Sequence, residues 1–418
     1  MAAPALDSTE LALINPQAYV DDGYPHDVWR RLRQEDPVHW VENPVADSFW
    51  AVTKHADIMH VGKRPDLFLN APMLVLPHEP EPPEEKRFEP PPTIISMDNP
   101  DHSEFRKIIS KRFTPRALKR LHHDIERIAN QIVDEMLEGD NDGECDFVAQ
   151  VSAPLPIAVI SWLLGVPEED WKLLFDWTNR TIGAGDPEYQ EEGKTPHETA
   201  QAAQIELYQY FTQLVEERRK NPKDDLVSVF TQAEVYGRKL DAMEILTYCF
   251  IIVVAGNETT RNATSGGMLA LVEHQDELRK VQHDPSLLKD CIEEILRWTS
   301  PIIHFARTAS QDTELRGRQI KKGQRVGLFY PSANRDEDVF ENPYTFDVTR
   351  KPNRHLAFGV GEHFCAGAHV ARYELEMAFK FLLPRIEEIE LAGPPVRLRS
   401  HLIGGVKHLP LRYKLTPA

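Results

Sequence analysis

The chain has 418 residues, is 41% hydrophobic and carries a formal charge of −18. That length and apolar content allow a large buried core, and the acidity argues against nucleic acid or an anionic membrane surface as partner. The first twenty residues mix Asp7, Glu10 and Pro16 among apolar positions. The longest apolar run, 249–255, falls well short of the roughly 20 residues that span a bilayer, so neither a signal peptide nor a membrane anchor is expected.

Four cysteines, Cys145, Cys249, Cys291 and Cys365, show no paired spacing and read as reduced thiols of a cytoplasmic protein. No repeat, dinucleotide fingerprint or flavin motif appears, and no fused iron–sulfur or flavin module is expected. Electrons, where needed, are expected from separate proteins.

In chain order, an amphipathic stretch lies around 28–33, and residues 38–41 and 49–53 alternate enough for two strands of a small sheet. A helix is expected over 54–64. Residues 71–92 hold eight prolines and cannot form a helix interior. Long irregular segments of compact domains are often lids or binding loops, and Met73, Leu74, Val75 and Leu76 give this one an apolar piece with something to cover. Residues 78–90 read equally well as a solvated Pro/Glu-rich insert.

The next helix ends near 113–115. Between His102 and Leu121, Arg106, Lys107, Lys111, Arg112, Arg116, Lys119 and Arg120 stand against one acid, Glu104. Such a run is commonly a solvated face, but against so acidic a background it is also a candidate dock for an acidic partner. Residues 121–137 place Ile125, Ile128, Ile132 and Met136 at helical spacing. Residues 154–164 are apolar and end at Gly165-Val166-Pro167. A polar break over 183–196 suits a mobile joint between two helices or a plain surface loop.

Asp241 and Glu244 form a capping signature that opens a helix to about His274, on the order of 50 Å long. In its middle stands Ala255-Gly256-Asn257-Glu258-Thr259-Thr260. Thr259 can bond back to the Ala255 carbonyl and Thr260 to that of Gly256, which bends helices. The missing side chain at Gly256 opens a gap beside Glu258 and Thr259, a carboxylate and a hydroxyl able to pass protons into an apolar site. Taken alone, the segment also suits a kinked core helix. Asp284-Pro285 starts another helix, which carries Glu294 and Arg297 as i, i+3 neighbours. Residues 315–330, with Lys322-Gly323 at the turn, read as a hairpin. Short strands follow Ile386.

Residues 358–367, Phe358-Gly359-Val360-Gly361-Glu362-His363-Phe364-Cys365-Ala366-Gly367, set a cysteine in a glycine-rich loop before a helix expected from His369 to about Ile386. A helix start and its free N–H groups lower a thiol's pKa toward the metal-binding thiolate. The glycines let backbone lie close to a flat ligand. Phe358 can wall the sulfur off from water, and His363 can meet an acidic group. Together these features describe a heme iron with an axial thiolate, which favours O–O cleavage. For Cys365 alone, a buried free cysteine in a turn is the plainer reading.

The ten-residue pattern resembles the heme-binding loop of the cytochrome P-450 family, the heme-thiolate monooxygenases. Residues 255–260 resemble that family's oxygen-activation motif, with glutamate where many members have aspartate. The resemblance runs from about Asp98 to Gly367. It implies a single domain over 1–418, α+β and mainly α, with the P-450 fold, a long central helix and small β-sheets. It implies heme b on Cys365, packed by Ala255, Gly256, Phe358, Gly359 and Gly367, its propionates met by His102, Arg106, Arg307 and His363. Glu294, Arg297 and Arg350 become a structural network. Thr259 would hold the activated oxygen and its water, and Glu258 would relay protons from solvent.

The reaction implied is insertion of one oxygen atom of O2 into a C–H bond of a hydrophobic small molecule. Met73, Leu74, Leu76, Ile94, Ile302, Ile303, Phe305 and Ile403 become the pocket, with His304 a polar wall residue rather than a second iron ligand. Ferredoxin and ferredoxin reductase become the electron donors, docking on the basic face 106–120. The wording of the long helix resembles the bacterial subgroup that hydroxylates sterol side chains and methyl-branched lipids, with a terpene as the other substrate class. A peroxide-driven enzyme of the same fold, a non-catalytic heme sensor and a heme-free helical binding protein are the competing functions.

Overall fold

The longest helix, Ala242–Glu273, starts at the expected capping box. Glu244 N–H donates to Asp241 Oδ1 and Asp241 N–H to Glu244 Oε2, both at 2.8 Å, which satisfies N–H groups that a helix start otherwise leaves open. This computed structural model describes residues 9–79, 91–137 and 142–416. Helices Pro154–Leu164, Trp171–Ile182, Leu288–Thr299 and Ala368–Leu382 pack around the long helix and bury most of its side chains. Two glycines set how closely they come. A Cβ on Gly256 would collide with Ile160, and one on Gly267 with Ile295. Among the described residues it is the one helix long and apolar enough to cross a bilayer, and more than half of its most apolar stretch is buried in the fold.

The main sheet runs in the order Val38–Val41, Phe49–Val52, Arg325–Phe329, His304–Ala309, Phe68–Leu69. Its middle pair, Phe49–Val52 with Arg325–Phe329, is parallel and the other pairings are antiparallel. Period-two alternation puts Phe305 and Arg307 on one face of their strand and His304 and Ala306 on the other. The Ala306 face packs on Trp29, Phe49, Leu76 and Phe329.

Several elements differ from what the sequence predicts. The helix expected from Leu121 begins at Pro115, whose fixed φ and missing N–H suit a first turn. The helix after the cysteine is Ala368–Leu382, closed by a short 3-10 turn, Leu383–Arg385. The hairpin expected over 315–330 is instead Thr313–Leu315 with Arg318–Ile320, turning at Arg316 and Gly317 with φ of 48° and 76°. Two successive left-handed residues give the two-residue turn that matches strand twist. The strand after Lys322-Gly323 pairs inside the main sheet instead.

Helical hydrogen bonding continues unbroken through 255–260. Thr259 Oγ1 donates to Ala255 O at 2.8 Å as expected, but no matching bond from Thr260 to Gly256 is present among the described residues. Residues 71–79 carry neither helix nor strand. The remainder of the proline-rich insert, 80–90, lies outside the described residues. The polar break after Ile182 is anchored rather than loose: the buried Asp186 carboxylate accepts from Lys407 Nζ at 2.6 Å and from the Arg399 N–H at 2.9 Å.

Candidate active site

The cysteine loop is folded back on itself, with the Cys365 N–H donating to the Phe358 carbonyl at 2.9 Å. Gly361 has φ of 82°, and a Cβ there would strike the Gly62 carbonyl. Glycine therefore lets the loop lie against helix His55–Gly62. A Cβ on Gly367 would meet only the Cys365 sulfur, at 4.0 Å. Burial pushes the Cys365 thiol up, opposed by the Gly367 N–H, the Arg106 and Arg372 guanidinium groups and the Ala368 N–H. The Gly367 and Ala368 N–H groups before the helix lower the thiol as expected, and desolvation of the half-buried sulfur works against them. The opposing groups are those that hold the thiolate once a metal displaces its proton.

His102, on helix Asp101–Ser110, stacks on His363 with ring centroids 3.9 Å apart. Three of their ring nitrogens, His102 Nδ1 and Nε2 and His363 Nε2, are buried without a partner. Glu362 Oε1 lies 3.8 Å from His102 Nδ1 and 3.6 Å from His363 Nε2, beyond hydrogen-bond reach. Burial, then the Arg106 charge, takes His102 down to about 4. Burial, then His102, Arg307 and Arg106, takes His363 down to about 2. Arg307 is buried too and donates to its neighbour's carbonyl, Ala306 O, at 2.8 Å.

Arg106 Nη2 donates to Phe364 O at 2.6 Å, tying the helix to the loop. Buried polar groups are ordinarily satisfied. Idle imidazole nitrogens, the buried Arg307 guanidinium and the half-buried Arg106 beside the thiol therefore fit a flat metal complex with carboxylates. Those carboxylates would supply the missing partners and oppose the downward histidine shifts.

On the long helix, Ile252, Ala255, Gly256 and Thr259 are open in part while Val253, Val254, Asn257, Glu258 and Thr260 are buried. The spacing i, i+3, i+4, i+7 is one helix face, a stripe left open amid buried residues. Glu258 is off this stripe. Its side chain is 1% exposed and ion-paired with Arg261, also 1% exposed, and Arg261 Nη1 donates to Asn179 Oδ1 at 2.8 Å. Burial raises the Glu258 pKa and Arg261 opposes it. A carboxylate opening directly to solvent is therefore not what the fold provides. Arg261 and Asn179 were not predicted; the i, i+3 spacing of Glu258 and Arg261 was the available signal for the first, and nothing local marked the second.

Met73, Leu74, Ile302 and Phe305 are half-buried, as is Leu402. Four other expected pocket residues stand behind this wall. Leu76 and Ile303 are fully buried with Trp29 and Phe329, Ile94 lies in the main helical core, and Ile403 is buried while bridging Ile302 through the backbone. Strand alternation and core packing claim them. His304 is also fully buried, not a polar wall residue.

Glu294 is buried among Arg297 (Nε at 2.8 Å, Nη2 at 2.7 Å), Arg350 Nε at 3.1 Å and Asn353 Nδ2 at 3.0 Å. Asn353 joins the expected network. Arg372, two helical turns past the cysteine, was also missed. Its guanidinium sits 4.5 Å over the Phe358 ring and its Nε donates to Glu293 Oε1 at 2.6 Å.

Along Asp101–Ser110, a hollow of about 390 Å³ is lined by His102, Arg106, Lys107, Lys111 and Glu362. A second, about 560 Å³, shares Lys107 and Lys111 and adds Arg112 and Lys223. Lys107 is partly offset by Glu104, 2.6 Å away. The side chains of Arg116 and Arg120 lie outside the described residues.

Comparison with known proteins agrees with this arrangement. The cytochrome P-450 family model matches residues 79–388. Cytochrome P-450-terp of Pseudomonas is 37% identical, covering 96% of this chain and 96% of its own. Steroid C26-monooxygenase of Mycobacterium tuberculosis is 41% identical, covering 87% of this chain and 82% of its own. A Mycobacterium marinum cytochrome P-450 solved in complex with pseudoionone matches with a TM-score of 0.88 at 33% identity, covering 98% of this chain and 100% of that one. Fold and likeness together define a heme-thiolate monooxygenase, an oxidoreductase that carries heme b and takes O2, electrons from redox partners and a hydrophobic substrate. The chain belongs to the cytochrome P-450 family.

Proposed function

We propose that Cys365 is the axial thiolate of the heme, that His102, Arg106, Arg307 and His363 meet its two carboxylates, and that the substrate is a sterol or methyl-branched lipid. The observation that carries the heme placement is the trio of buried, partnerless nitrogens on His102 and His363. Bound heme supplies reductive activation of O2 with a thiolate push.

The chain's own residues divide the remaining work. The N–H groups of Gly367 and Ala368, with Arg106 and Arg372, steady the charge on sulfur. Ala255 and Gly256 leave room beside the long helix, and Phe358 and Gly359 pack the loop side. Thr259, its proton turned to Ala255 O, offers lone pairs that hold a proton-bearing water. Glu258 stores the next proton, with Arg261 setting its charge. Met73, Leu74, Ile302 and Phe305, joined by Leu402, exclude water and orient an apolar substrate.

The substrate class is supported by the steroid C26-monooxygenase relative and by the methyl-branched lipid omega-hydroxylase of Mycobacterium tuberculosis, 36% identical over 94% of this chain and 92% of its own. A ferredoxin, served by its reductase, docks on the basic face around Arg106, Lys107, Lys111 and Arg112, a reading supported by that face's charge in so acidic a chain. We read residues 1–418 as one domain working in the cytoplasm, consistent with four free cysteines.

Titrating the ferric protein with sterols, branched and straight fatty acids, and terpenes tests the substrate class through the Soret band. Sterols or branched lipids are expected to drive low spin to high spin. A shift with terpenes alone, in protein that gives a thiolate-type CO spectrum, would keep the enzyme and discard the substrate.

A further inference from the structure

One residue in the strap 71–78, Leu76, has both of its backbone polar groups held by imidazoles. The Leu76 N–H donates to His304 Nε2 at 3.1 Å, and the Leu76 carbonyl accepts from His401 Nε2 at 2.9 Å. His304 Nδ1 in turn donates to the His401 carbonyl at 3.1 Å. The bond pattern assigns each ring one neutral tautomer, with the proton on Nδ1 in His304 and on Nε2 in His401. Both rings are buried, and His78 lies against His401 with centroids 4.2 Å apart. Neighbouring bonds run the same way. Ala306 N–H donates to Leu74 O at 2.6 Å, Ile303 N–H to Leu402 O at 2.8 Å, and Asn43 Nδ2 to Pro77 O at 3.0 Å.

We infer that His304 and His401 are positioning residues for the substrate: as a pair they latch the strap onto strand His304–Ala309 and fix where its apolar side chains stand. The inference rests on the reading that Met73 and Leu74 line the pocket. The strap has no helix or strand of its own, and Pro72 and Pro77 lack N–H donors, so beyond the one backbone bond from Ala306 to Leu74 its place depends on side-chain bonds.

Packing alone does not call for these histidines. Apart from His78, the side chains beside them, Leu76, Ile303 and Phe329, are apolar, and a hydrocarbon ring would fill the same space without polar atoms to satisfy. What a histidine adds is direction. Each bond forms in only one register of the strap against the strand, so the pair sets a position more than it adds stability. The loop 401–403 is caught in the same network, which brings Leu402 and the strap to the substrate from two sides under one constraint.

The test compares holoenzymes of wild type, His304→Phe and His304→Gln. Phenylalanine keeps the ring and loses both bonds, whereas glutamine can still accept from the Leu76 N–H. Amide hydrogen exchange over 73–79 is expected to quicken at least tenfold in His304→Phe and to return toward wild type in His304→Gln. Two azoles that both ligate the iron separate the pocket wall from the heme. Clotrimazole, large enough to touch the wall, is expected to bind His304→Phe about tenfold more weakly, and imidazole within twofold of wild type. His401→Phe takes the same measurements if His304→Phe does not fold. Unchanged exchange over 73–79, or equal weakening of both azoles, overturns the latch. An absent azole spectrum in wild type would instead overturn the heme site, while the exchange result still judges the latch.

Discussion

Replacing Arg261 with methionine isolates the buried pair beside the oxygen site. Methionine keeps the length and apolar stem but leaves Glu258, 1% exposed, without its counter-charge. A charge abandoned in this way costs about 3–5 kcal/mol if it stays ionised, so the carboxyl is expected to keep its proton instead. Burial already raises Glu258 above the ordinary value of 4.5, and Arg261 is what opposes that rise. A folded pKa above the unfolded one means a contribution complete at low pH and lost as pH climbs from 4.5 to the folded value.

Removing Arg261 extends that window upward. Within it, each pH unit costs up to about 1.4 kcal/mol, so stability is expected to fall more between pH 6 and pH 8 in the variant than in the wild type. Urea midpoints of the two holoproteins at both pH values give the comparison, with the CO spectrum checking the heme. Identical pH dependence in the two proteins would refute the claim that Arg261 sets the charge of Glu258.

Thr259→Ala removes the hydroxyl facing the open stripe and is expected to divert electrons to peroxide, read as less product per NADH consumed; unchanged coupling would remove Thr259 from proton delivery. Glu294→Ala strands Arg297, which is fully buried, and is expected to cost about 3–5 kcal/mol, seen as a lower unfolding midpoint and loss of heme. Charge reversal at Lys107 and Lys111 together is expected to slow reduction by a ferredoxin about tenfold at low salt, the gap closing as salt rises; a deficit independent of salt would place the dock elsewhere. Cys365→His is expected to fold and to lose the red-shifted CO band of a thiolate heme, and its retention would mean another ligand.

What the sequence determined by itself was whatever is local. The capping box of Asp241 and Glu244, the Thr259 back-bond to Ala255, the glycine-rich run into Cys365 and the i, i+3 pair Glu294–Arg297 all depend on neighbours within a turn or two, and each formed as spacing demands. Most helices and the small strands were likewise legible, because apolar periodicity is set along the chain.

Facing and charge were decided by the tertiary structure. Leu76 and Ile303 read as pocket residues because they are apolar, yet strand alternation and the cluster around Trp29 turn them inward, while Leu402 rather than Ile403 remains half open. The direction of the Cys365 shift depends on how completely distant elements exclude water from the sulfur. Glu258 meets a partner held by Asn179, which is 79 residues earlier by the numbering. His304 found its bonds on segments more than 90 residues away on either side, since the |i−j| separations are 228 to Leu76 and 97 to His401. Desolvation and hydrogen bonds between distant segments exist only once the chain has closed on itself, so no window along the sequence contains them.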